Sequence, residues 1–265
     1  MSTTPETFQL TAEVAEAYEA QFVPAFFAQW APRLLDATQL GKGQRLLDVA
    51  CGTGIVARTA ADRLGDPSRV TGLDLNEAML TVARRIQPGI HWRQGDAAAL
   101  PFDTSFDVTV SQMALMFFPD PAAALREMAR VTRPGGMVGV LIPAGTDRNP
   151  PYDLFVDIVA RHAGPDARAL VTTYFALGDA DTLAGLFTAA GLADVTVGRT
   201  VGESRYPSID VAVTIELDST PLGERVTPDV RERIMADCRE ALVPFQTADG
   251  VLFPFECLVV TARTV

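Results

Sequence analysis

Three carboxylates and two glycines carry the first chemical signal in this chain. Asp48 closes an apolar run and is followed at once by Gly52 and Gly54 in the stretch LLDVACGTG. Asp74 lies 20 residues beyond Gly54 in VTGLDLNEAML, and Asp96 follows in QGDAAALPF. Glycines so placed let a ligand approach the backbone where a side chain would block it, and they supply the positive φ of a tight turn. Gly52-x-Gly54-x-x-Ala57 satisfies the relaxed dinucleotide pattern, and Asp74 stands where a carboxylate accepts hydrogen bonds from two ribose hydroxyls. Both features imply an adenosine-bearing ligand without choosing between a nicotinamide dinucleotide and another nucleoside. Asp48 favours the second, because an anion beside the loop suits a sulfonium and an amino group better than a pyrophosphate.

Other chemistries find fewer residues. A nucleophilic Cys51 would need a lowered pKa and a base, and neither of the two imidazoles, His91 and His162, is tied to it by a motif. Cys51 is therefore expected to be present because it is small. Lys42 is the single lysine, so Schiff-base and Walker-type lysine chemistry has no plausible candidate. Cys51, Cys238 and Cys257 are far apart and odd in number, which predicts reduced thiols, no disulfide framework and no metal site. A formal net charge of -11 argues against a surface that neutralises phosphates, so no nucleic-acid partner is expected. No signal peptide opens the chain and no apolar run has the length of a membrane span, which predicts a cytoplasmic protein.

The elements that would position these residues alternate from Arg45 onward. Strands are expected at Arg45–Ala50, Arg69–Asp74, Ile90–Gln94, Phe106–Ser111 and Met137–Ile142. Alanine-rich amphipathic helices are expected at Ile55–Leu64, Glu77–Ile86 and Pro121–Val131. Repeated strand-then-helix units predict an α/β, Rossmann-like, doubly wound and mostly parallel sheet, with the loop at its carboxyl edge. After Ile142 a helical piece reaches about His162, followed by an irregular link to Leu177. A helix over Asp179–Ala190 then leads to a strand over Val195–Val201. Two helices, Ser208–Leu217 and Pro228–Leu242, precede a final strand over Val251–Thr261. The organisation expected is a single domain. Residues 1–40 form an N-terminal helical cover, and residues 41–265 form a core with lid insertions at about 144–178 and 203–247. All four tyrosines, Tyr18, Tyr152, Tyr174 and Tyr206, fall in those accessory segments, as substrate-pocket linings or simply as residues suited to amphipathic lids.

Five motifs in order, LLDVACGTG, VTGLDLNEAML, QGDAAALPF, FDVTVSQMALMFFPD and ARVTRPGGMVGVLI, resemble the class I S-adenosylmethionine-dependent methyltransferases. The similarity is greatest to the type 11, ubiquinone-biosynthesis-like branch, and it fades in the three accessory segments. The resemblance implies a seven-stranded sheet whose last strand is antiparallel. It also implies S-adenosyl-L-methionine as cofactor and S-adenosyl-L-homocysteine as product. Residue by residue, it implies that Asp48 orients the methionine moiety directly or through water, and that Ala50, Gly52 and Gly54 supply close backbone. Asp74 would bind the ribose, and Leu75 or Met79 would cover one adenine face. Asp96 would accept from the adenine amine with the Ala97 amide beside it; a turn cap is the alternative for Asp96. Ser111 and Gln112 would meet the cofactor's amino group, and Gln112 or Met113 would look toward the transferred methyl. Phe117 would wall the pocket or seat the next helix, and Tyr18 and Arg33 could reach the cofactor's carboxylate end.

Methyl transfer from a sulfonium is an in-line displacement that asks chiefly for alignment and exclusion of water. No residue stands out as a base. The expected activity is therefore methyl transfer to the O, N or C nucleophile of a small molecule, by a monomer or homodimer. Two rivals remain at this level: a nicotinamide-dependent dehydrogenase, which would lack the Tyr-x-x-x-Lys pair at every tyrosine, and a non-catalytic S-adenosylmethionine-binding protein.

Overall fold

The computed structural model describes residues 11–103, 106–218 and 222–265. Residues 1–10 of the expected N-terminal cover and 219–221 of the second insertion lie outside them. The described chain divides into two compact units. The first takes the described residues of Met1–Ile142 together with Ala180–Arg199 and Leu258–Val265. The second takes Pro143–Asp179 and those of Thr200–Cys257. The segments read as lids fall in the second unit, which also includes residues 248–257.

In the first unit, four short strands are laid side by side by the apolar runs that end in the expected site residues. These are β1 (Leu46–Val49), β2 (Val70–Asp74), β3 (His91–Gln94) and β4 (Phe106–Gln112). With β5 (Thr132–Pro143), β6 (Ala193–Tyr206) and β8 (Gly250–Arg263) they form one sheet in the order β3-β2-β1-β4-β5-β8-β6, and the two-residue β7 (Gln246–Thr247) pairs with β8. The pairs β2 with β3, β1 with β2, β1 with β4 and β4 with β5 are parallel. Gly135 N of β5 donates to Thr264 O, and Ala144 N, one residue past the end of β5, donates to Glu256 O. Partner numbers fall as strand numbers rise, so β8 is antiparallel to β5.

The helices are α1 (Ala12–Ala17), α2 (Trp30–Ala37), α3 (Ile55–Leu64), α4 (Glu77–Ile86), α5 (Pro121–Val131), α6 (Pro150–Thr172), α7 (Ala180–Ala189), α8 (Ile209–Asp218), α9 (Leu222–Arg225) and α10 (Pro228–Ala241). Local chemistry sets the ends of the three that bear on the site. Gly54 opens α3 at φ 89 and Gly65 closes it in the left-handed region, a conformation glycine adopts without penalty. The Asn76 side chain caps α4 by accepting from Ala78 N and Met79 N, and Arg84 and Arg85 in the last turn complement the helix dipole. Asp120 caps α5 through Ala123 N, with Pro121 at its first position.

Four expectations need correction. The link expected to be irregular after His162 is helical to Thr172. Gly164, at φ 85 and ψ -177, kinks the chain, and Pro165 follows it, where a new helical start tolerates the missing N–H. β5 begins at Thr132 and not Met137, and β6 runs on from Val201 to Tyr206, so the first residues expected in an insertion are strand. β1 stops at Val49, because Ala50 takes φ 57. The N-terminal cover contains a ten-residue π-helix, Tyr18–Phe27, with Pro24 inside it.

In the second unit Asn149, fully buried, holds two segments together. Its Nδ2 donates to Ala144 O, Gly145 O and Glu256 O, and its Oδ1 accepts from Glu256 N at 2.7 Å.

Candidate functional site

β1 and β2 end side by side, and Asp74 ties their two loops into one surface. Its Oδ2 accepts from Gly52 N at 2.8 Å and its Oδ1 from Asn76 N at 2.8 Å. A carboxylate offers about four acceptor positions, so each oxygen keeps capacity for a ligand hydroxyl. Asp48 lies deeper, 1% exposed, and its Oδ2 accepts from Ala57 N at 3.0 Å in the first turns of α3. Burial pushes Asp48 up to about 8, the Ala57 amide pulls it back, and the nearby Asp74 raises it again. Burial also raises Asp74 against the pull of its amide donors. A cation placed here would relieve both groups.

The glycines divide their work. A Cβ on Gly52, at φ 56, would meet only the Tyr18 ring, 4.0 Å from Cε1, so this side of the loop is spacious. A Cβ on Gly54 would stand 2.3 Å from Cη2 of Trp92, and one on Gly72 2.3 Å from Cζ3 of the same indole. Trp92 on β3 faces Gly72 in register, spreads across both glycines and donates Nε1–H to Gln87 O at 2.9 Å. The side of Gly54 on which a Cβ would stand thus faces the protein's own indole, a packing contact that sequence reasoning did not foresee. The signal that could have found it was Gly72, a glycine inside a strand, which marks close approach by a neighbour.

Leu75, next to Asp74, is 47% exposed. Met79 is buried with Ala15 and Val82, and Tyr18 packs against that cluster. Of the two candidates for an adenine face, Leu75 therefore has the accessible surface. Asp96 is exposed and its Oδ1 accepts from Ala98 N at 2.8 Å, the turn-cap geometry, while Ala97 beside it is buried. At the end of β4, Ser111 is wholly buried and its Oγ has no hydrogen-bond partner, and the same holds for Thr53 Oγ1 in the glycine loop. Gln112 donates Nε2–H to Phe27 O at 3.2 Å and leaves Oε1 unsatisfied. Met113 follows at φ 52, so β1 and β4 both end on a non-glycine residue in the left-handed region, through Ala50 and Met113. Such backbone costs about 1 kcal/mol or more per residue and collects at ligand sites. Phe117 is half-buried in a 3-10 turn, and Arg33 lies over the Trp30 indole, 4.9 Å from its centre.

The N-terminal helices are fastened to this loop by residues sequence reasoning did not single out. Arg58 on α3 donates to Thr53 O at 3.0 Å and to Glu19 Oε1 at 2.8 Å. A pair 39 positions apart carries no local signal. Cys51 is buried, with its thiol pushed well up by desolvation and by Asp48 and Asp74, the opposite of an activated nucleophile. His162 is bound at 2.8 Å to Asp237 of α10, and His91 opens β3, exposed. Among the described residues no group of three or more His, Cys, Asp or Glu could hold a metal ion, and no helix is long and apolar enough to cross a membrane.

In the second unit Tyr152 on α6 is buried against Phe175, Phe253 and Phe255, and Tyr206 at the end of β6 packs on Phe253. Tyr174 sits next to Phe175 in the 3-10 turn Thr173–Phe175.

Buried hydroxyls short of partners, a carboxylate clamp and an open glycine lie together at the carboxyl edge of a parallel sheet, where Rossmann-like folds bind their ligands. A methyltransferase-domain family model matches residues 47–140, the stretch that holds this whole arrangement. The chain is 32% identical over 188 residues to demethylmenaquinone methyltransferase of Staphylococcus epidermidis, covering 65% of this chain and 78% of that one. It is 31% identical over 274 residues to nocamycin O-methyltransferase of Saccharothrix syringae, covering 94% and 95%. Among solved structures, the YcgJ protein of Bacillus subtilis superposes with a TM-score of 0.62 at 21% identity, covering 89% of this chain and 98% of that one. Phosphoethanolamine N-methyltransferase 2 of Haemonchus contortus, solved with S-adenosyl-L-methionine, superposes at 0.60 with 19% identity over 98% and 58%. The chain belongs to the class I S-adenosylmethionine-dependent methyltransferases, in the type 11 branch. It is an enzyme whose cofactor is S-adenosyl-L-methionine and whose cofactor product is S-adenosyl-L-homocysteine. The dehydrogenase and the non-catalytic binding protein are thereby set aside.

Proposed function

We propose that this enzyme methylates a small molecule, with the cofactor lying across the carboxyl ends of β3, β2, β1 and β4. The observation that carries the placement is the pair of buried, unsatisfied hydroxyls, Ser111 and Thr53, beside the Asp74 clamp. Buried polar atoms without partners are uncommon in folded proteins and call for a ligand or water. In this reading Asp74 accepts from the ribose hydroxyls and Leu75 covers one face of the adenine. Asp96 and the Ala97 amide meet its polar edge. Asp48 gains a cationic neighbour, Ala50, Gly52 and Gly54 keep the backbone close, and Ser111 and Gln112 meet the amino end. Tyr18, against Gly52, closes over the loop. When bound, S-adenosyl-L-methionine supplies an electrophilic methyl on a sulfonium that departs as a neutral thioether. The chain's residues align the partners and keep water out.

A small, partly apolar acceptor is supported by the ring-rich second unit, and by the relative that aligns along nearly the whole chain, named for O-methyl transfer. Acidic charge and arginine-dominated cations support neither a nucleic-acid substrate nor a membrane partner, and we read the protein as cytoplasmic. The test is to supply methyl-labelled cofactor with pools of phenols, enols, carboxylic acids and amines, and separately with protein and RNA extracts. Label is expected in the small-molecule pools; label found only in the protein or RNA fraction would overturn the reading.

A further inference from the structure

The second unit gathers four polar side chains from three elements into one aromatic setting. Tyr206 of β6 donates its hydroxyl hydrogen to Glu216 Oε1 of α8 at 3.2 Å. Tyr152 of α6 and Ser204 of β6 share a hydrogen bond at 3.3 Å. Tyr152 and Ser204 are 5% and 1% exposed and form the closed end of the cluster, while Tyr206 and Glu216 keep part of their surface accessible. Phe253 packs on both tyrosines, with ring centres 5.9 Å from Tyr152 and 5.6 Å from Tyr206, and Phe255 stands 5.0 Å from Tyr152.

A carboxyl group in such a place is costly for stability alone, because apolar side chains of similar size fill a core at least as well. Burial pushes Glu216 up to about 7, against the hydrogen bonds from Tyr206 and Tyr152, so near neutral pH it holds or releases a proton readily. Three hydroxyls and one carboxyl give a mixture of donors and acceptors suited to a ligand whose polar atoms are oxygens. The rings suit a flat apolar body.

We propose that this cluster is an acceptor-binding site of the second unit, taking a planar molecule with an acidic hydroxyl, a phenol or an enol, and that Glu216 accepts the hydroxyl proton. The O–H bond breaks, its electron pair stays on the acceptor oxygen, and the proton passes to the Glu216 carboxylate, which becomes a neutral acid. The Tyr152–Ser204 pair bonds a second oxygen of the ligand. The assignment rests on the methyl-transfer reading and supplies the base that no sequence motif indicated.

The full-length protein, with S-adenosyl-L-homocysteine present, is titrated with 4-nitrophenol, with 4-nitroanisole, which has the same ring without the acidic hydroxyl, and with 4-nitrobenzylamine. Wild type is expected to bind 4-nitrophenol about ten-fold more tightly than either analogue. Glu216→Gln is expected to abolish that preference. The absorption of bound 4-nitrophenol adds a readout that a merely structural role would not move: at the same pH wild type is expected to hold it as the yellow phenolate, its proton on Glu216, whereas Glu216→Gln is expected to hold it as the neutral phenol. Tyr206→Phe, which removes one hydroxyl only, is expected to weaken the preference and serves if Glu216→Gln does not fold by circular dichroism. Equal binding of the three probes by wild type, preference for the amine, or an undiminished phenol preference in the variants would overturn the proposal. Calorimetry with S-adenosyl-L-homocysteine alone separates the two levels: retained cofactor binding without phenol preference refutes only the Glu216 assignment, and lost cofactor binding refutes the reading beneath it.

Discussion

Placing alanine at Gly54 with and without the Trp92 indole tests which partner the glycine serves. In wild type the new methyl would stand 2.3 Å from Trp92 Cη2 and the backbone would have to keep φ 89. Left-handed backbone costs a non-glycine residue about 1–2 kcal/mol, and forcing an extra methyl into filled space costs about 1–3 kcal/mol. Gly54→Ala is therefore expected to destabilise the fold by about 2–5 kcal/mol. In a Trp92→Ala background only the backbone part remains, about 1–2 kcal/mol. The cycle should show a coupling of about 1–3 kcal/mol, well above the roughly 0.5 kcal/mol scatter of independent sites. Urea unfolding followed by far-ultraviolet circular dichroism measures all four proteins without relying on the deleted fluorophore. If Gly54→Ala costs the same in both backgrounds, the indole is not what excludes the side chain, and the glycine is kept for turn geometry or ligand approach alone.

Asp48→Asn is expected to flatten the dependence of stability on pH. Burial raises the Asp48 carboxyl from 3.8 to about 8, so the stability conferred by its neutral form is complete below pH 3.8 and is lost as pH climbs through 8. The wild-type loss is at most about 6 kcal/mol, and unfolding midpoints that fall equally in both proteins over that window would contradict it. Asn149→Ala removes the bonds that join Ala144 and Gly145 to Glu256 and leaves buried backbone groups unmatched. A cost of about 2–4 kcal/mol in urea unfolding is expected, and a cost below about 1 kcal/mol would show the bonds to be replaceable. Arg58→Ala cuts the link from Thr53 to Glu19 and should increase proteolytic cleavage and hydrogen exchange within Tyr18–Phe27. Unchanged protection there would show that the cover is held by its apolar packing.

Legibility in the sequence followed the range of the interaction responsible. The spans of α3, α4 and α5 were readable from their alanine-rich amphipathic spacing, and neighbours in the chain fix their ends in the structure: Gly54 and Gly65, Asn76, and Asp120 with Pro121. The carboxyl-edge arrangement of Asp48, Asp74, Asp96 and Ser111 was readable because strands that alternate with helices bring their ends to one side of a sheet. The helix beyond Gly164-Pro165 was hidden because those residues usually end helices, and here they bend one. The π-winding of Tyr18–Phe27 has no residue pattern of its own. Trp92 over Gly54, Arg58 with Glu19, and Tyr206 with Glu216 join separate segments, and Glu216 on an apolar helix looks from its neighbours like a solvent-facing charge.

The strand order also dictates a schedule for assembly. β6 reaches the rest of the sheet only through β8, which begins 44 residues after Tyr206 and inserts between β6 and β5. Until β8 arrives, β5 presents one unpaired edge and β6 two, and contacts of such long sequence separation form slowly. A folding intermediate that lacks β8 would therefore be the species most open to edge-to-edge association between chains.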